Sequence, residues 1–88
     1  PLLKLDLGCG EHKREGFTGV DRSKLKGVDQ VVDLSKYPWP WKDGSVAEVH
    51  CSHFFEHIPG MQRPRFMDEL YRILAPAAKV TIIVSDVA

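Results

Sequence analysis

Four places in this sequence carry backbone or side chains suited to holding a ligand, and each closes a short apolar run: Gly8-Cys9-Gly10, Asp21, Asp33 and Ser52-His53. Glycines let a ligand approach the backbone, and their N–H groups can donate to it. A carboxylate ending one strand is placed to accept both hydroxyls of a ribose, and a second, ending the next strand, can accept from an exocyclic amine. In an open parallel sheet ligands bind at the carboxyl ends of the strands, near the point where strand order reverses. Glycines followed by two strand-terminal acids in that order fit a nucleoside-bearing cofactor.

A second cluster, His50, Cys51, His53, Glu56 and His57, is the densest set of potential metal ligands or proton carriers. His53-Phe54-Phe55-Glu56-His57 fits H-x-x-E-H, the inverted zinc-protease pattern, whose two histidines share a helix face. A third ligand would come from a distant downstream helix. Only 31 residues follow His57, and they offer Asp68, Glu69 and Asp86 in no convincing second motif, so no metal site is expected. As proton carriers, His53 and His57 are suited to removing a proton from a nucleophile near neutral pH.

Positioning these groups requires strands. Leu2–Leu7 (LLKLDL) reads as a buried strand ending in a glycine turn. Residues 11–15 are all polar and allow at most one exposed helical turn. Further strands are expected over Phe17–Val20, Val28–Val32 and Val46–Cys51, with a loop from Tyr37 to Ser45 rich in Pro and closed by Asp-Gly. Ser52 is expected to cap a short helix that Pro59-Gly60 ends. A second helix begins near Pro64, buries Phe66, Leu70, Ile73 and Leu74, and stops at Pro76. Val80–Val84 is the fifth strand. The order β–β–β–β–α–α–β, with strands apolar enough to need cover on both faces, points to a mostly parallel α/β sheet with few helices. Trp39 and Trp41 either line the pocket or pack their loop onto the sheet.

In ordered co-occurrence these segments resemble a class I S-adenosylmethionine-dependent methyltransferase of the type-11 group. Leu5-Asp6-Leu7-Gly8-Cys9-Gly10 is similar to the family's first motif, and Gly16–Asp21 to its second strand with the ribose-binding acid. Val31-Val32-Asp33-Leu34 is similar to the adenine-side motif. Pro38-Trp39-Pro40 through Asp43-Gly44-Ser45 resembles the family's P-F-P-D-G-S approach to strand four. Ser52–His57 resembles its S-H-x-L-E-H segment, and Glu69–Leu74 its following helix. The resemblance implies a Rossmann-like fold and S-adenosylmethionine as cofactor. It places Asp6, Gly8, Cys9 and Gly10 beside the methionine part, Asp21 on the ribose and Asp33 with Leu34 on the adenine. Ser52 and His53 then lie near the sulfonium and the substrate, with His53 and His57 as the catalytic candidates.

Three departures from the family pattern stand out. Asp21 follows Gly10 by eleven positions, which leaves no room for the helix that commonly follows the first motif. Ala75-Pro76-Ala77-Ala78 stands where a Pro-Gly-Gly turn is usual, so a positive φ there would be strained. The sequence stops after strand five, so residues 1–88 are expected to form one partial S-adenosylmethionine-binding domain with an exposed apolar edge open to self-association. A nicotinamide dehydrogenase is disfavoured because Lys13 replaces the third glycine of G-x-G-x-x-G. An adenine or glutamine N-methyltransferase is disfavoured because Cys51-Ser52-His53 replaces the acid-Pro-Pro-aromatic signature.

Composition narrows the function classes. The 12 basic and 12 acidic residues balance, which argues against a nucleic-acid surface. The 43% hydrophobic content is that of a globular domain, and no apolar run approaches a membrane span. Cys9 and Cys51 are expected to be reduced thiols, which with the absent signal peptide suggests a cytoplasmic protein. Methyl transfer to a small-molecule acceptor is the expected activity. A non-catalytic cofactor-binding or scaffolding module on the same fold is the alternative.

Overall fold

The computed structural model describes residues 2–84; Asp86, weighed above as a zinc ligand, lies outside them. Five strands form one sheet: β1 (Leu3–Leu7), β2 (Thr18–Asp21), β3 (Gln30–Val31), β4 (Val46–Ser52) and β5 (Leu74–Ile83). Every pairing is parallel, and the spatial order is β3-β2-β1-β4-β5. Successive strands therefore run outward from β1 in one direction and then, from β4, in the other. The strand order reverses between β1 and β4, as a Rossmann-like sheet requires.

Register divides the sheet into two unlike faces. Leu7 lies beside Val20 on one side and Cys51 on the other, and Leu5 lies beside Val49. These side chains are buried with Phe66, Leu70 and Ile73 of α1 (Arg63–Ile73), the single α-helix among the described residues, and with Trp39 and Trp41. Each large apolar side chain so buried contributes about 1.5–3 kcal/mol. The alternate positions, Lys4, Asp6, Glu48, His50 and Ser52, form the opposite face. Helical cover on both faces, expected from the apolar look of the strands, is absent there. LKLDL alternates, so only half of each strand needs burial. Phe17 covers part of the polar face from the β1–β2 loop, with Lys4 Nζ 4.7 Å from its ring centroid and the His50 ring at 6.2 Å.

Several boundaries shift from expectation. Ser52 ends β4 and caps nothing. The helix expected after it is one 3₁₀ turn, Phe55–His57, preceded by Phe54 with no side-chain cap, and a second 3₁₀ turn spans Gly60–Gln62. β3 shrinks to two residues. β5 begins at Leu74, which pairs with Val46, and its register then jumps to Lys79 opposite Glu48. The intervening Ala75–Ala78 segment bulges, and Ala77 takes φ +63°, the strained conformation anticipated where glycine is usual.

A buried acid fastens the 37–45 loop to α1. Glu69 accepts from the Trp39 N–H through Oε2 and from Arg72 through both oxygens. Arg72 also donates to Asp43 and to the Trp39 carbonyl. The Arg72 hydrogen bonds, opposed by burial and aided by the Trp39 N–H, hold the Glu69 carboxyl below its ordinary value.

Two outcomes follow for stability. Ala77→Gly removes the left-handed strain and raises the urea midpoint, by about 1 kcal/mol once glycine's added chain entropy is subtracted. Because the folded pKa of Glu69 is depressed, its contribution is complete above the unfolded value of about 4.3. It is lost as pH falls through the folded value. Urea titrations at pH 7, 5 and 3 should show Glu69→Gln destabilised at pH 7, with a shallower loss on acidification than the parent chain.

Candidate functional site

At the carboxyl ends of the strands two pockets lie side by side. The first, about 420 Å³, is lined by Asp21, Asp33, Leu34, Tyr37, Phe54 and His57 among others. The second, about 400 Å³, is lined by Asp6, Cys9, Arg14, His50, Ser52 and His53 with His12. Gly8 borders both. Strand order places them: β2 and β3 deliver Asp21 and Asp33 to one side of β1, and β4 delivers Ser52 and His53 to the other.

Asp21 is the last residue of β2 and anchors the glycine turn. Its Oδ2 accepts the Gly10 N–H at 2.9 Å and its Oδ1 the Ser23 N–H at 3.1 Å. Each oxygen keeps a lone pair for a ligand hydroxyl. Gly10 lines neither pocket, and its part in the geometry is this N–H. Asp33 lies beyond the end of β3 and is exposed; its Oδ1 accepts the Ser35 hydroxyl at 2.6 Å and the Ser35 N–H at 3.0 Å. The Ser35 hydroxyl first, then its N–H, holds that carboxyl below the ordinary aspartate value. Leu34 is buried, and its carbonyl accepts the Trp39 indole N–H at 3.1 Å.

Across β1, Asp6 is buried and accepts the Arg14 N–H at 2.8 Å. Burial, then the charges of Asp6 and Asp21, pushes the Cys9 thiol up. Burial likewise pushes the Cys51 thiol up to about 12. Both cysteines are free, and both are protonated thiols at neutral pH. The histidines divide between the pockets: His53 borders the second and His57 the first. His53 has φ +55°, so the H-x-x-E-H segment is not one α-helix; only its last three residues wind into a 3₁₀ turn. Among the described residues no group of three or more His, Cys, Asp or Glu could hold a metal ion. Backbone strain of that kind clusters at functional sites.

Phe54 is the residue that the sequence undersold. A Cβ built on Gly8 would stand 2.5 Å from Phe54 Cδ1, so the ring packs directly on the glycine that borders both pockets. Arg14, His12 and Tyr37 also emerge as lining residues, and nothing in the all-polar 11–15 segment signalled the first two. Trp39 and Trp41 are core residues and line neither pocket, so their loop packs onto the sheet.

Gly8 and Gly10 differ in a measurable way. Both have positive φ, +67° and +57°, but a Cβ at Gly10 meets nothing within 4 Å. Gly10→Ala should cost about 1–2 kcal/mol in urea denaturation, the left-handed penalty alone. Gly8→Ala should cost about 1–3 kcal/mol more through overpacking, recovered in part when Phe54→Ala is added.

The family model described as "Methyltransferase domain" matches residues 15–82. That span takes in Asp21, Asp33, Leu34, Ser52, His53 and His57, whereas Asp6, Gly8, Cys9 and Gly10 precede it. No curated protein and no solved structure matches the sequence. With residues 15–82 matched and the sheet ordered as that class requires, the chain belongs to the methyltransferase domain family, which in general depends on S-adenosylmethionine.

Proposed function

We propose that this chain binds S-adenosylmethionine across the two pockets and transfers a methyl group to a small-molecule acceptor. The observation that carries this reading is Asp21, fixed by two backbone N–H groups at the end of β2 and facing the first pocket. The pocket chemistry fits a nucleoside. Asp21 offers acceptors for two ribose hydroxyls, and Asp33 an acceptor for an exocyclic amine. Leu34, Tyr37, Ile58 and Phe66 supply apolar surface for a base. Gly8 and Ser52 mark the way into the second pocket, where Asp6 and Cys9 border the methionine end.

When bound, the cofactor supplies a methyl group activated on a sulfonium. The chain's contribution is alignment and water exclusion, since in-line attack depends mainly on holding the reactants in register. His53 and His57, one per pocket, are the proposed bases for an acceptor that must lose a proton, worth about 10²–10⁴-fold where used. A second reading, a module that binds without turnover, draws support from the Phe54 ring packed on Gly8, the residue common to the two pockets that a whole cofactor would span. Formation of S-adenosylhomocysteine with an acceptor separates the two.

Exposed Val80, Ile83 and Val84 on or beside edge strand β5 support self-association as a further proposal. No helix among the described residues is long and apolar enough to cross a membrane; cytoplasmic residence is proposed on the thiols alone.

Calorimetric titration with S-adenosylmethionine tests the cofactor reading. Asp21→Asn, which keeps the side chain's size and one acceptor oxygen, should weaken binding tenfold or more, about 1.4 kcal/mol. An unchanged affinity in a variant with the parent melting profile would sink the assignment of Asp21.

A further inference from the structure

The β1–β2 connection, residues 8–17, holds no helix. A helix there would aim N-terminal amides and its dipole at an anionic ligand group. Hydrogen bonds order the connection instead: beyond the bonds of Gly8, Cys9 and Gly10 to β2, the His12 N–H donates to the Cys9 carbonyl at 3.2 Å, the Arg14 N–H to Asp6 Oδ2 at 2.8 Å, and the Phe17 N–H to the Arg14 carbonyl at 3.2 Å. The last two bonds both engage Arg14, so its backbone is pinned beside the end of β1. Its guanidinium carbon lies 5.7 Å from the Phe17 ring centroid, and the side chain lines the second pocket. Among the described residues no ion pair engages it.

The second pocket thus carries one permanent cation, the exposed Arg14, and one buried carboxylate, Asp6, linked through the Arg14 backbone. Opposite charges at two points of one small cavity complement an α-amino-acid zwitterion, whose ammonium and carboxylate are separated by a single carbon. Arg suits the carboxylate because its planar fork donates two parallel hydrogen bonds. We infer that the second pocket takes the α-amino-acid end of the cofactor, with Arg14 holding the carboxylate in place of the missing helix terminus. The inference rests on the cofactor reading above and adds to it a specificity residue. Asp6 faces the ammonium. His12, His50 and His53 border the same cavity.

The test compares two probes by calorimetry: S-adenosylhomocysteine, which has the amino-acid end, and 5′-methylthioadenosine, which lacks it. Arg14→Gln should weaken S-adenosylhomocysteine tenfold or more and 5′-methylthioadenosine less than twofold, while Arg14→Lys keeps part of the difference. Raising salt should weaken S-adenosylhomocysteine binding to the parent chain more than to Arg14→Gln. Equal losses for both probes would mark Arg14 as structural and overturn the inference, as would no loss for either. Should the parent chain bind 5′-methylthioadenosine as tightly as S-adenosylhomocysteine, the zwitterion site falls and the nucleoside pocket stands. Binding of neither probe by the folded chain overturns both readings.

Discussion

Much of this molecule hangs on one buried carboxylate. Glu69 reaches from α1 to the Trp39 N–H and is itself neutralised by Arg72, which goes on to hold Asp43 and the Trp39 carbonyl. A loop of alternating prolines and aromatics offers few backbone donors of its own, so it must be gripped by something outside it. Once gripped, Trp39 stands on Phe66 at 5.1 Å between centroids, and its indole N–H holds Leu34 by the carbonyl. Leu34 and Phe66 are walls of the first pocket. The charge pair on α1 therefore shapes the ligand-facing end of the sheet without touching it. An apolar residue at position 69 could fill the volume but could not satisfy the loop N–H.

What the sequence discloses here divides along a physical line. Groups that punctuate strands were legible, because a strand end is marked by local chemistry: Gly8 and Gly10 by turn geometry, Asp21 and Asp33 by acids after apolar runs. The strain at Ala77 was foreseen only through the family resemblance, which puts glycines where Ala75–Ala78 stands; the bulge itself had no local mark. Groups placed by tertiary packing were not legible. Ser52 has the composition of a cap, yet parallel pairing with Ile83 extends β4 through it, and ladder hydrogen bonds outweigh a one-turn helix. The LKLDL alternation looked like a continuous apolar run until register showed which residues face α1. Arg14 had no local signature, since its position follows from its N–H bond back to the Asp6 side chain, eight residues earlier. Phe54 carried no reading of its own; it is half-buried against the core, and its place over Gly8 is visible only in three dimensions.

The family match and the geometry weigh different parts of the chain. Residues 15–82 carry the family likeness, while the turn that joins the two pockets lies before them. The match takes in β2, β3, β4, α1 and nearly all of β5, while β1 and the glycine turn that follows it precede the matched span. Losing a helix there exposes the polar face of the sheet, and the Phe17 ring with its flanking cations covers part of what a helix would have covered.

That short connection has a kinetic and entropic consequence. Parallel strands usually need a crossover of about a dozen residues or more; residues 8–17 make the return with little slack. Loop-closure entropy grows only as the logarithm of length, but flexibility within a long connection must also be frozen when a ligand binds, at about 1–2 kcal/mol per backbone residue ordered. Here the β1·β2 pairing and the Asp21–Gly10 bond order the turn as the chain folds. The ligand-facing backbone is set before any ligand arrives, and because these contacts are close in sequence they can form ahead of the more distant pairing of β1 with β4.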